Sequence, residues 1–169
     1  MDKVFVVVPA FNEEKTIKQC IERIQKYHTD IIVVDDGSKD GTVAIVKELT
    51  GSRNPLRRVE DEASKFGMTV ELISLKKNKG KGFTMREGAE YAWKHGAGAV
   101  LFMDADNQHD PKHISSFLEL LNKKTDIILG IRVLRAHIPF YRKLGSDLIS
   151  FLMRHLFGID LPDMICGFR

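Results

Sequence analysis

Apolar and polar positions along this chain fall into two alternating patterns. Continuous β-branched runs take turns with stretches of helical spacing. Lys3–Val8 is a continuous apolar run, the pattern of a strand buried on both faces, and Pro9 is expected to stop it. Across Glu13–Tyr27, the residues Ile17, Cys20, Ile21 and Ile24 share one helical face, with acidic residues expected in the first turn. Asp30–Asp35 is a second strand, ended by Asp36-Gly37-Ser38, and Gly41–Leu49 is a helix with Asp40 as its N-cap. Thr69–Leu75 predicts a third strand, Phe83–His95 a third helix and Ala99–Met103 a fourth strand. Pro111 opens a helix through Leu121, and Asp126–Gly130 predicts a fifth strand. Strands alternating with helices of this kind predict an α/β fold with a mostly parallel, doubly wound sheet and helices on both faces. Residues 51–66 begin polar and then place Leu56, Val59, Ala63 and Phe66 at near-helical spacing, which predicts a surface insertion with one amphipathic helix.

Length and composition narrow the class without naming a function. A chain of 169 residues suits one domain, 1–169, with a sizeable core. The net charge of +3 is too small to argue nucleic-acid binding, and no basic face with exposed aromatics accompanies it. Cys20 and Cys166 make neither a metal-type spacing nor a disulfide framework, so they are expected to be reduced thiols. The start of the chain lacks the pattern of a signal peptide, and no apolar stretch approaches the roughly 18 residues of a membrane span. The expectation is a soluble or peripheral protein inside the cell.

The chemistry concentrates at strand ends. In open α/β sheets ligands bind beyond the carboxyl ends of the strands. Here those ends carry Pro9-Ala10-Phe11-Asn12-Glu13, Asp35-Asp36-Gly37-Ser38 and Asp104-Ala105-Asp106. One Asp-Gly after a strand is ordinarily a turn with a helix cap. Several acid-bearing ends on one rim call for a cation or a cationic partner. Neither a dinucleotide fingerprint nor a P-loop is present, and Gly80-Lys81-Gly82 alone is only a weak phosphate signal. Asp104 and Asp106, two apart on an extended segment, face one point in space. Hard cations such as Mg²⁺ or Mn²⁺ take few carboxylates plus substrate phosphate oxygens, so this D-x-D spacing suits a metal bridging protein and diphosphate. Asp106 is the better direct ligand, Asp104 facing a ribose or the metal through water. Asp110 fits a helix cap instead.

In order along the chain, "PAFNEE", "VVDDGSKDGT", "NKGKG", "DADNQHDP" and "GFR" resemble the family 2 glycosyltransferases of GT-A, Rossmann-like fold. The nearest likeness is to the dolichyl- and polyprenyl-phosphate group, and it covers nearly the whole chain. The resemblance implies that Pro9, Ala10, Phe11 and Glu13 hold the base and ribose of a nucleotide sugar. It implies that Asp36, with Asp35 as the alternative, accepts hydrogen bonds from the base, and that Lys81 lies near the nucleotide. Asp104 and Asp106 match the D-x-D motif, and Gln108 matches the glutamine completing the shell of Mg²⁺ or Mn²⁺. His109 reads as a structural contact beside that loop rather than as an acid or base.

Further on, Arg132, Arg142 and Ser146 match the arginines and serine that receive the acceptor phosphate, a geometry that arginine clusters suit. Residues 132–158 hold five Arg or Lys against one acid, Asp147, interleaved with apolar residues. That composition fits an interfacial helix on anionic lipid, or a basic helix with its apolar face in a core; the resemblance favours peripheral contact at the cytoplasmic face of a membrane. The expected reaction is inverting transfer of a hexose from GDP-mannose, UDP-glucose or UDP-N-acetylglucosamine to dolichyl or polyprenyl phosphate. An anionic phosphate acceptor needs no general base, so none is nominated. The alternatives are transfer to a saccharide hydroxyl, which requires a carboxylate base near Asp163, and a non-catalytic nucleotide- or metal-binding module. "DADNQHDP" departs from the "DADLQHPP" form of mannosyl enzymes, which keeps a UDP-sugar open. Family members continue beyond Gly167-Phe168-Arg169, so a C-terminally truncated chain is expected.

Overall fold

The computed structural model describes residues 3–50, 69–121 and 126–130, together with 151, 154–156, 158 and 168. The chain divides into two compact units, Met1–Thr125 and Asp126–Arg169. In the first, β1 (Lys3–Ala10), α1 (Ile17–Gln25), β2 (Asp30–Asp35), α2 (Thr42–Thr50), β3 (Thr69–Ser74), α3 (Lys81–Lys94) and β4 (Ala97–Phe102) follow in order. A short 3₁₀ turn, Pro111–His113, then leads into α4 (Ile114–Leu121). The four strands form one sheet in the order β3-β2-β1-β4, and every described pair is parallel.

Alternation along the two central strands fills both faces of this sheet. Phe5 and Val7 of β1 join Ile32 and Val34 of β2 in a cluster with Ala92 of α3, Ala97 and the half-buried Val100 and Phe102. Val6, Val8, Ile31 and Val33 point the other way and are equally inaccessible to water. Helix α3 lies close on its face because Gly88 has no side chain: a Cβ there would stand 2.4 Å from Val7 Cγ1 and 3.0 Å from Val34 Cγ2. The expected α/β architecture is therefore present, and β2 has the bounds read from its sequence.

Four local readings are corrected. Pro9 does not stop β1, which runs on to Ala10 with Pro9 opposite Val34. The Val7 carbonyl accepts from Met103 N on the β4 side, so two residues on the Pro9 nitrogen faces that side too, beyond the last β1–β4 pair, Val7–Phe102. No ladder bond is lost there. Helix α1 starts at Ile17 rather than Glu13 and has no acid in its first turn. Glu13 and Glu14 are drawn instead into bonds with residues 40–42. The helix expected from Pro111 is a 3₁₀ turn for its first three residues, with Asp110 capping it through Lys112 N at 3.1 Å. Asp126–Gly130 is not a strand: its Ile127 and Leu129 are exposed, and Gly130 N donates to Phe168 O at 2.9 Å in place of a ladder bond. Among the described residues no strand lies beside it to pair with.

In the second unit, residues 151 and 154–156 are helical, with the His155 ring over Phe151 at 4.0 Å. Gly158, at φ 68°, donates its N–H to Arg154 O and closes that turn. The insertion expected at 51–66 and most of the 132–158 segment lie outside the described residues. Among the described residues no helix is long and apolar enough to cross a membrane.

Candidate active site

Parallel strands bring the ends of β1, β2 and β4 to one rim, and the loops that leave them are tied together by side chains bonding to backbone. Asn12 sits at φ 56°, its N–H donating to Ser38 Oγ (2.8 Å) while its Oδ1 accepts from Lys39 N (2.9 Å). Glu13 N donates to Thr42 Oγ1 at 2.8 Å and Glu14 N to Asp40 Oδ2 at 3.1 Å, and the Glu14 carboxylate accepts from Gly41 N at 2.9 Å. Asp40 also caps α2 by accepting from Thr42 N at 3.0 Å. Its burial acts to raise the carboxyl pKa, but the Thr42 and backbone bonds outweigh that and hold it below the ordinary carboxylate range.

Two buried acids follow β2 and do different work. Asp35 turns inward: it accepts from Gly37 N at 3.2 Å, from Ser38 N at 3.3 Å and from Ser74 Oγ at 3.2 Å, which forms the tight turn. Gly37 is required in that turn, with φ 73° and the Lys77 backbone only 2.7 Å from where a Cβ would be. Asp36 spans both donors of the glycine loop, accepting from Lys79 N at 2.7 Å and Gly80 N at 2.8 Å. It therefore presents the N-terminus of α3, with Lys81, at the rim.

Between these loops lies a cavity of about 320 Å³. Pro9, Ala10, Phe11, Glu13, Asp36, Lys81, Asp104 and Asp106, all singled out from sequence, line it, joined by Asn78, Gly80, Thr84 and Ala105. Asp35 and Gln108 are not part of the lining: Asp35 is buried in its turn and Gln108 is exposed on the loop. Arg132, Arg142, Ser146 and Asp163 lie outside the described residues. Thr84 escaped the sequence reading, and Asn78 and Ala105 entered it only inside motifs, because a small or neutral residue carries no charge signal. Their adjacency to Lys81, Asp104 and Asp106 was the available clue.

The crowding of acids after β4 has a structural answer. Lys81 Nζ lies 2.6 Å from Asp104 Oδ1, and His109 Nε2 stands 3.9 Å from Asp104 Oδ2. Lys112 Nζ is 3.1 Å from Asp110 Oδ2, and Arg23 is 3.7 Å from Asp110 Oδ1. The Lys112 backbone N–H, its side chain and the charge of Arg23 hold the Asp110 carboxyl below its ordinary range. Asp106 Oδ1 accepts from Gln108 N at 3.0 Å and keeps its place on the cavity wall. Asn107 and Asp110 are the residues of the loop that Arg23 engages.

Among the described residues no three His, Cys, Asp or Glu side chains converge as a ready-made metal cage. Two carboxylates on a cavity wall, with room beside them, form the sparse all-oxygen set that Mg²⁺ or Mn²⁺ shares with a diphosphate. The donor set fits that group.

A parallel sheet with an acid-bearing cavity at its carboxyl rim has its candidate ligand site where open α/β sheets carry theirs, and the comparison with known sequences gives the family. The family model described as glycosyl transferase family 2 matches residues 5–169, and the chain belongs to that family of glycosyltransferases. It is 31% identical to the UDP-N-acetylglucosamine–dolichyl-phosphate N-acetylglucosaminyltransferase of Methanococcus voltae, over 98% of this chain and 68% of that protein. It is 32% identical to the dolichol-phosphate mannosyltransferase of Pyrococcus furiosus, over 98% of this chain and 45% of that one. Among solved structures, glucosyl-3-phosphoglycerate synthase of Mycobacterium tuberculosis in complex with phosphoglyceric acid shares the fold, with a TM-score of 0.64 at 21% identity over 99% of this chain and 55% of that chain.

Proposed function

We propose that this chain carries the donor site of an inverting, divalent-metal-dependent glycosyltransferase that moves a hexose from a nucleotide sugar to a dolichyl or polyprenyl phosphate, at the cytoplasmic face of a membrane. The observation that carries this reading is the cavity in which Asp36, Lys81, Asp104 and Asp106 meet at the ends of parallel strands. The dolichyl-phosphate transferases among the relatives support the acceptor class.

Phe11 and the apolar wall of Pro9 and Ala10 offer the base a surface to lie on, with Glu13 at hand for the ribose. Asp104 and Asp106, the two carboxylates on the cavity wall, would hold Mg²⁺ or Mn²⁺, which when bound supplies charge neutralisation to the diphosphate leaving group. Lys81 and the N-terminus of α3 add positive potential on the same wall. Arg132, Arg142 and Ser146 are assigned to the acceptor phosphate.

In the reaction a phosphate oxygen of the acceptor attacks the anomeric carbon. A new C–O bond forms as the bond to the diphosphate breaks, and the electron pair leaves with the nucleoside diphosphate. An acceptor phosphate whose second ionisation lies near about pH 6 is already anionic, so no proton has to be removed. The chain's task is to position the two reactants and to stabilise the leaving charge.

Calorimetric titration with UDP, GDP, UDP-glucose, UDP-N-acetylglucosamine and GDP-mannose, with and without Mn²⁺, tests the reading. Binding of one nucleotide series, strengthened by Mn²⁺ and lost in Asp106→Ala, is expected and names the donor. A folded chain that binds none of them refutes it.

A further inference from the structure

Helix α1 and its N-cap Thr16 bond to the loop after β4 through residues Asp104, Asn107 and Asp110, and none of the helix groups involved lines the cavity. From the helix, Arg23 donates through one guanidinium nitrogen to the Asn107 carbonyl and to Asn107 Oδ1, both at 3.4 Å, while its other nitrogen lies 3.7 Å from Asp110. From the loop, Asn107 Nδ2 donates back to Thr16 O and Gln19 Oε1, both at 3.2 Å. Below them the Cys20 thiol donates to Asp104 O at 3.7 Å.

The residue at the focus of these bonds has an unusual backbone. Asn107 has φ 59°, a left-handed conformation that few residues other than glycine adopt without cost. That conformation reverses the chain between Asp106 and Gln108, so that Gln108 N meets Asp106 Oδ1 at 3.0 Å. The direction of the Asp106 carboxylate into the cavity thus follows from the turn at Asn107. The turn in turn is held by a helix on the far side of the loop.

We propose that Arg23 and Asn107 form a latch between α1 and the Asp104–Asp110 loop, and that both are positioning residues that aim Asp106 for the cation and diphosphate. The proposal rests on the functional reading above for its ligand and on the bonds between α1 and the loop for its mechanism. Neither residue lines the cavity. Each acts through the turn, much as a group that orients a metal ligand does, and losing such a group lowers metal affinity by roughly 10–100-fold.

The test compares the whole chain with Arg23→Gln, Arg23→Lys, Asn107→Ala and Asn107→Gly. Asn107→Gly keeps the left-handed turn accessible and removes only the side-chain bonds, so it separates the latch from backbone strain. Two readouts are taken: hydrogen exchange of the amides of residues 104–110 without any ligand, and Mn²⁺ affinity in the presence of saturating UDP or GDP. Arg23→Gln and Asn107→Ala are expected to speed exchange in 104–110 by about tenfold, leaving β1 and β2 amides unchanged, and to weaken Mn²⁺ by at least about tenfold. Arg23→Lys should recover part of both effects, because it keeps a charge for Asp110 but loses the fork to Asn107. Asn107→Gly should fall between wild type and Asn107→Ala. Unchanged exchange and unchanged Mn²⁺ affinity in Arg23→Gln and Asn107→Ala would overturn the latch. A wild-type chain that binds no Mn²⁺ with either nucleotide overturns the functional reading instead, and the exchange result then decides the latch alone.

Discussion

The middle of the sheet and its C-terminal rim use the same parallel strands but are held by different forces. In the middle, Val6, Val7, Val8 and Ile31–Val34 are closed off from water on both faces, and Gly88 lets α3 settle onto Val7 and Val34. Area removed from water holds this region, and it tolerates little change in volume. At the rim, side chains of Asn12, Glu14, Asp36 and Asp40 take backbone N–H groups of a neighbouring loop, and Asp35 takes those of its own turn. Hydrogen bonds to charged groups give the rim its shape and leave its cavity open. The difference separates two jobs: burial supplies stability, and directed polar bonds supply a site whose groups point at a ligand. Substitutions should therefore divide by region, stability being lost in the middle and binding at the rim.

The strongest way to break this division is Gly88→Leu. Its Cβ would press on Val7 Cγ1 from 2.4 Å at a fully packed contact. Urea unfolding should show a loss of about 3 kcal/mol or more, or no folded chain, since overpacking of a tight helix–sheet contact has little room to relax. A fully stable Gly88→Leu would mean that α3 does not lie as described. At the rim, Asp106→Ala should reverse the pattern. Sugar transfer is expected to fall by more than about 100-fold, beyond the loss typical of a supporting residue, while the unfolding midpoint stays within about 0.5 kcal/mol of wild type.

Asp36→Ala probes the boundary between the two regions. It strands the N–H groups of Lys79 and Gly80, which should lower stability by about 1–3 kcal/mol and also weaken nucleotide binding. If stability alone changed, Asp36 would belong with the core. Cys20 gives a gentler check on how closed the underside of the rim is. Burial pushes its thiol up to about 12, so in a Cys166→Ser background it should stay unreactive to a disulfide reagent at about pH 8 and react fully in urea. Fast labelling of the folded chain would show that α1 and the loop after β4 part readily.

The smallest expected effect is acid sensitivity of the rim. Asp40 and Asp110 both titrate below the ordinary 3.8 in the folded chain. A carboxyl depressed on folding contributes stability above its unfolded pKa and loses it as pH falls through the folded one. Both groups are partly open to solvent, so only a shallow loss is expected, confined to pH below about 3.8, and hydrogen exchange across residues 38–42 and 104–110 would locate it.

How much of this was legible in the sequence differs between the same two regions. The alternation of apolar runs with helical spacing was enough for the α/β class, for the bounds of β2 and for the prediction that three acid-bearing strand ends share a rim, because side-chain period and strand direction are local properties. Eight of the residues singled out for the nucleotide and metal, most of them through the family resemblance, line one cavity. What failed locally was decided at a distance. Pro9 continues β1 because β4 has already ended on the side its nitrogen faces. Glu13 and Glu14 stay out of α1 because residues 40–42 hold them. Asp126–Gly130 has the composition of a strand but pairs with no strand among the described residues, and Gly130 bonds to Phe168.

The sequence by itself determined which residues face inward, which ends carry acids and which family the motifs resemble, since each depends on identity and spacing alone. Only the tertiary structure decided that Asp35 folds into its turn while Asp36 holds the glycine loop, that Lys81 neutralises Asp104, and that Arg23 meets Asn107 across 84 positions of chain. A hydrogen bond or an ion pair needs two groups within a few ångströms, and packing of the whole sheet and its helices brings them there.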